Sequence, residues 1–273
     1  MPIFSVIPDL CRQDGICASV CPAHVIKGPK GHTPFMRPGM ENSCIACGHC
    51  MAFCPHGAAR VDVLPLDDMR KIDRQLLPGP EAVEELCRAR RSTRLFKKEP
   101  VPKELLERVL GVARHAPSAK NARPVRFIVA YEAAMLRAIG DSAAEWLDLY
   151  RADPAGKPNL PDAKALVRAW RMGLDPLFRG APHVVLAVTS KDAKWGEADS
   201  AIPLTYIELA ALSHGIGACW AGYVSIAARF HGPLQALLGL GPDERVQGGQ
   251  MLGYPALRPT ASAPRAPLAT NWL

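Results

Sequence analysis

Four cysteines, Cys44, Cys47, Cys50 and Cys54, stand in one short stretch with Pro55 directly after the last, a C-x2-C-x2-C-x3-C-P spacing. Three thiols at intervals of three residues are too crowded for structural zinc, which usually takes two ligands from each of two separated turns. A cuboidal iron–sulfur cluster does take three iron corners from such a loop, with a fourth thiolate from elsewhere. The chemistry these residues support is therefore electron transfer. A second stretch, Cys11-x2-Asp14-x2-Cys17-x3-Cys21-Pro22, repeats the spacing, with Asp14 where the other has its second thiol. A carboxylate is a harder ligand than a thiolate and holds iron more loosely. Asp14 either completes a [4Fe–4S] cluster, or leaves a [3Fe–4S] core, or only caps the turn before Gly15. His24, His32, His49 and His56 lie nearby and read as surface residues or hydrogen-bond partners of sulfur.

The paired loops resemble the bacterial-type two-cluster ferredoxins. In that architecture the last Cys of each motif crosses to the other cluster. The resemblance implies one [4Fe–4S] cluster on Cys44, Cys47, Cys50 and Cys21. It implies a second on Cys11, Cys17 and Cys54, with Asp14 as fourth ligand or with a [3Fe–4S] core.

A different chemistry begins further on. Arg90-Arg91-Ser92-Thr93-Arg94 sets three guanidiniums and two hydroxyls in five residues, either a solvated charged face or a grip on phosphate, which Arg meets with forked donors. A helical stretch and then Pro117-Ser118-Ala119-Lys120-Asn121-Ala122-Arg123-Pro124 follow, before a strand over 125–131. This order resembles the nitroreductase family of FMN proteins, which carry R-x-S-x-R, a helix, and P-S-x-x-N-x-Q-P before a strand. Here Arg123 stands in place of the family's Gln. The resemblance implies that Arg90, Ser92 and Arg94 hold the flavin phosphate and ribityl end, and that Pro117, Ser118 and Asn121 reach the flavin from a partner subunit. It places Ala221 and Gly222 beside the isoalloxazine, where small residues let the main chain approach the ring. After Gly253-Tyr254-Pro255 it assigns Arg265 to the flavin phosphate.

These residues need elements to hold them. Pro78-Gly79-Pro80 breaks regular structure, so the expected organisation is an iron–sulfur domain over 1–65, a linker over 66–80 and a flavin domain over 81–273. The expected class is α+β, a ferredoxin-like domain followed by a nitroreductase-like three-layer α/β/α domain. Helical spacing predicts a helix over 81–91 with Cys87 as a buried thiol, and another over 102–115 interrupted at Gly111. Two helices are expected within 133–180, around 153–158. This stretch varies in the family and covers the pocket, which makes Trp146, Tyr150, Arg168, Trp170 and Arg171 candidates for substrate selection, though amphipathic packing explains the aromatics equally well. The apolar run 183–189 reads as a buried strand. The stretch 198–214 reads as a buried helix, by resemblance part of a homodimer core, capped at Gly215. The glycine-rich 215–223 is expected to end in a short strand, and 246–253 to form another. The Pro- and Ala-rich tail is expected to lie extended over the dimer.

Composition narrows the classes. Seven of the nine cysteines are clustered as metal ligands would be, as in a reducing compartment. A net charge of +7 invites nucleic acid, but the basic residues are scattered and not striped with aromatics. No apolar run reaches the ~18 residues of a membrane helix. The expectation is a cytoplasmic protein with neither nucleic acid nor membrane as partner. By resemblance it is an FMN- and iron–sulfur-dependent oxidoreductase. Its donor is of low potential, reduced ferredoxin or NAD(P)H, and its acceptor a small nitroaromatic, quinone or enone. The alternative is a non-catalytic electron carrier or redox sensor with the same cofactors.

Overall fold

The computed structural model describes residues 3–152 and 159–273. The break expected over 153–158 lies outside the described residues. The chain forms two compact units, Met1–Leu77 with Ala119–Ala122, and Pro78–Ser118 with Arg123–Leu273. The first unit thus runs past the boundary expected at 65 and reclaims four residues from far down the sequence.

In the first unit, β1 (Phe4–Val6), α1 (Ile16–Ser19), β2 (Ile26–Lys27), β3 (Phe35–Met36), α2 (His49–Ala52) and β4 (Ala59–Val61) follow in order. β1 pairs antiparallel with β4, Phe4 facing Val61, and β2 with β3, Ile26 facing Met36. Each short helix opens just after a loop glycine with left-handed φ, Gly15 at 75° and Gly48 at 73°. A side chain there costs about 1–2 kcal/mol in backbone strain. The core is small: Phe4, Val25, Ile26, Met36, Met51 and Val61 pack directly with Cys17, Cys21 and Cys50. Apolar burial on this scale needs help from a metal or a covalent staple, and the thiols sit inside it.

The second unit runs α3 (Pro80–Ala89), α4 (Lys103–Gly111), β5 (Arg126–Ala130), α5 (Ala133–Ala152), α6 (Ala163–Arg171), β6 (His183–Ser190), α7 (Gly196–Ser213), β7 (Gly217–Trp220), α8 (Gly222–Phe230), α9 (Gly232–Leu237) and β8 (Glu244–Gly253). The sheet has order β5-β6-β8-β7, antiparallel throughout. β6 is buried along all but its last residue, as its apolar run requires. Leu204, Ile207 and Ala211 of α7 and Leu106 and Val109 of α4 pack one face. Ile139 and Leu147 of α5, Val167 and Trp170 of α6, and Val224 and Ala227 of α8 pack the other. This is the expected three-layer α+β arrangement.

Two local expectations need correction, and one open alternative falls to packing. Cys87 is exposed, because α3 buries none of its residues. The segment after Gly215 does not end in a strand: β7 stops at Trp220 and Gly222 opens α8. Trp146, Tyr150 and Trp170 are buried in the core, and Arg171 pairs with Asp148, so packing accounts for the aromatics.

Candidate functional site

In the first unit the repeat is conformational as well as sequential. Gln13 and Ala46, at matching places in the two loops, both take left-handed φ, 56° and 45°, ahead of the left-handed Gly15 and Gly48. Each loop thus doubles back tightly between its first and third ligand positions. Cys44, Cys47 and Cys50 line one apolar cavity together with Cys21 from the other loop, walled by Phe4, Val25, Ile26 and Val61. The crossed set expected from the sequence therefore shares one space. Burial pushes the Cys50 thiol up to about 12, with Cys47, Cys44 and Cys21 adding to the rise. Such a thiol ionises readily only against cationic metal. Among the described residues no three Cys, His, Asp or Glu groups close on a point as a single ion requires, whereas a cage of several irons holds its thiolates farther apart. The donor set fits a cluster.

Cys17 is the centre of the second set. Burial raises its thiol, and Asp14, Cys11 and Cys54 are near enough to raise it further. Asp14 Oδ1 accepts from the Ile16 amide at 3.0 Å, the capping role, while Oδ2 stands 3.8 Å from His56 Nε2. One carboxylate oxygen is thus committed to the turn. The Cys54 sulfur accepts from the Ala58 amide at 3.3 Å.

In the second unit the arginine-rich segment lies along β7. Ser92 bridges to Ala218, and the Thr93 amide donates to the Ala218 carbonyl at 2.8 Å. A Cβ on Gly217 would lie 2.3 Å from Thr93 Oγ1, so this approach requires glycine. Arg90 pairs with Glu208 of α7 at 2.9 Å. Arg94 and Arg179 lie within electrostatic reach of Cys219, whose thiol is raised by burial and lowered by both guanidiniums. At the end of β7 Ala221 is buried, while a Cβ on Gly222 would meet nothing within 4 Å. Gly222 is exposed at the start of α8.

A cavity of about 230 Å³ is lined by Arg90, Arg91, Glu208, Gly217, Ala218 and Arg258, among others. Arg258, in place of Arg265, joins the arginine segment here; Arg265 is exposed on the tail. Pro117 is exposed, and Ser118 Oγ accepts from the Arg123 amide at 2.9 Å, closing the turn. Asn121 belongs to the first unit, where its amide nitrogen donates to the carbonyls of Ile45 and Ala46 at 3.0 and 3.1 Å. Its donors are turned to the cysteine loop. Glu208 was the missed residue with a visible signal: it is the acid inside the mostly apolar stretch 202–212.

Comparison with known proteins places these sites in context. The nitroreductase family is matched over residues 87–254, and a 4Fe-4S dicluster domain over residues 10–59. The NADH dehydrogenase of Thermus thermophilus is 30% identical over 61% of this chain and 83% of its own length. The electron transport protein HydN of Escherichia coli is 41% identical over 59 residues, 21% of this chain and 31% of HydN. A Bacteroides fragilis nitroreductase crystallised with FMN shares the fold at TM-score 0.60 and 20% identity, over 70% of this chain and 98% of its own.

Proposed function

Since the chain belongs to the nitroreductase family and carries a 4Fe-4S dicluster domain, we propose that it is an FMN- and iron–sulfur-dependent oxidoreductase that reduces a small organic acceptor of the nitroaromatic, quinone or enone type. The observation that carries the reading is the convergence of Cys21, Cys44, Cys47 and Cys50 on one apolar cavity, in the same chain as a nitroreductase fold. Iron–sulfur centres supply one-electron chemistry and a flavin exchanges either one electron or two, so the pair joins a single-electron donor to a two-electron acceptor.

The chain's residues bind, orient and shield. The eight candidate ligands are Cys21, Cys44, Cys47 and Cys50 on one side, and Cys11, Asp14, Cys17 and Cys54 on the other. The apolar walls bury Cys21 and Cys50 and leave Cys44 and Cys47 half-buried, which lowers the local dielectric and strengthens hydrogen bonds to the sulfurs. Arg90, Ser92 and Arg94 would take the flavin phosphate and ribityl chain, with Arg258 or Arg265 closing on the phosphate. Glu208 fixes the guanidinium of Arg90 in place. Ala221 and Gly222, small residues at the start of α8, would let the main chain approach the ring. Pro117 and Ser118 would approach from the partner subunit of a homodimer. The donor is a low-potential one-electron carrier or NAD(P)H.

The test is anaerobic. The holoprotein is reduced with dithionite, a nitroarene is added, and flavin reoxidation is followed optically. Reoxidation well above the rate of free FMN is expected. A rate no faster than free FMN would assign the chain to electron carriage without catalysis.

A further inference from the structure

The two cysteine loops present the same carbonyl outward but fasten it differently. In the first loop the carbonyl of Gln13 accepts from the Gly31 amide at 2.8 Å, and the Gln13 side chain donates to Thr33 Oγ1 at 3.1 Å. Both partners come from the connection between β2 and β3 in the same small unit. In the second loop the matching carbonyl, Ala46, accepts from Asn121, as does its neighbour Ile45. One side-chain amide nitrogen thus donates to two consecutive carbonyls, the nearer in sequence 75 residues away.

The backbone around Asn121 is bent to make this possible. Lys120, Asn121 and Arg123 all take left-handed φ, 51°, 54° and 47°. Only asparagine among them tolerates that conformation well, and strain of this kind persists where the surroundings dictate it. The Ser118–Arg123 hydrogen bond closes the turn.

We propose that Asn121 is a positioning residue for the iron–sulfur site of Cys21, Cys44, Cys47 and Cys50, its carboxamide pinning the Cys44–Cys47 loop by two carbonyls and thereby setting the potential of the cluster held there. This rests on the iron–sulfur reading above. A trans peptide is planar, so a carbonyl held on one side turns the following amide N–H to the other. Asn121 therefore directs the N–H groups of Ala46 and Cys47 away from itself. Hydrogen bonds in series polarise one another, so each held carbonyl makes its peptide N–H a stronger donor. Hydrogen bonds to cluster sulfurs raise the reduction potential, because they favour the more negative reduced state.

The experiment uses the full chain, purified anaerobically with its cofactors. Asn121→Gly keeps the left-handed backbone free of strain and removes only the amide; Asn121→Asp keeps the shape and replaces donors with an anion. Potentiometric titration followed by electron paramagnetic resonance reads both clusters, with Asp14→Cys identifying the signal of the other site. Asn121→Gly is expected to shift the redox equilibrium of the Cys44 cluster toward the oxidised form by up to tenfold, 59 mV downward for one electron, and Asn121→Asp to shift it further. Iron and flavin content and the other cluster stay as in the parent protein. Potentials unchanged within threefold in both variants, or a loss of flavin with both clusters untouched, would overturn the proposal. Parent protein without iron would overturn the underlying iron–sulfur reading instead.

Discussion

The two loops of the first unit are copies in outline and differ in what completes them. Both double back through a left-handed residue and a left-handed glycine, Gln13–Gly15 and Ala46–Gly48, and both hand their last cysteine onward. The Cys44 loop puts three thiols on one cavity, joined there by Cys21, and takes its outer fastening from Asn121. The Cys11 loop has a carboxylate in place of one thiol, tied to the Ile16 amide, and is fastened by its own neighbourhood. The difference teaches that sequence spacing fixes which atoms can reach a cluster, whereas the surrounding chain decides how firmly they are held.

The largest effect expected comes from breaking the crossed pairing. Cys21→Ser should remove the cluster of the other loop and lower bound iron by about half, sparing the site around Cys17. Cys54→Ser should do the reverse. Iron analysis with magnetic resonance of each variant checks this; loss at the mutated residue's own loop would mean the thiols do not cross. Next comes making the loops alike. With Asp14 as a ligand, Asp14→Cys leaves iron at about eight per chain and alters only the spectrum, while a rise from about seven to about eight would identify a three-iron core in the parent.

A smaller contrast is expected between the glycines. Gly15→Ala and Gly48→Ala each cost about 1–2 kcal/mol in strain. An added Cβ at Gly15 also meets backbone, Lys30 N at 3.2 Å and Gly28 O at 3.3 Å, whereas at Gly48 it meets only the movable Leu64 side chain. Gly15→Ala should therefore lower the thermal midpoint more; equal shifts would count against the comparison. The smallest effect is a reference outside both loops. Arg126 holds the Glu244 carboxyl down at about 2 by direct hydrogen bonding. That depressed value gives stability present above about pH 4.5 and lost as pH falls toward 2. Arg126→Gln should flatten this acid dependence of the flavin unit by no more than the ~1 kcal/mol of a surface pair, measured by denaturation between pH 5 and 2, with cluster spectra at neutral pH unchanged.

Much of this was legible in the residues. Cysteine spacing gave the two loops, because ligand geometry is a local demand, and the resemblance to two-cluster ferredoxins supplied the crossed set. The apolar run of β6 and the full circumference of α7 gave the central layers, because burial imposes its own composition. What sequence could not convey was long-range partnership. Asn121 looks the same whether its amide faces a flavin or two carbonyls some 75 residues back in the sequence. Arg265 is the residue the sequence suggests after Tyr254-Pro255, whereas the chain's path brings Arg258 to the cavity beside Arg90. Cys87 looked buried because helical spacing reports which residues share a face and not whether anything covers it. The end of β7 was misread because Ala221-Gly222-Tyr223 has no alternation to distinguish strand from helix start.

The reclaiming of Ala119–Ala122 by the first unit bears on how such a protein is made. A chain emerging from the ribosome has all its cysteines for both loops by residue 54, yet the amide that steadies one of them arrives only with residue 121. Severed at the proline-rich join, the first unit would keep the thiols of both loops and lose a brace encoded inside its neighbour.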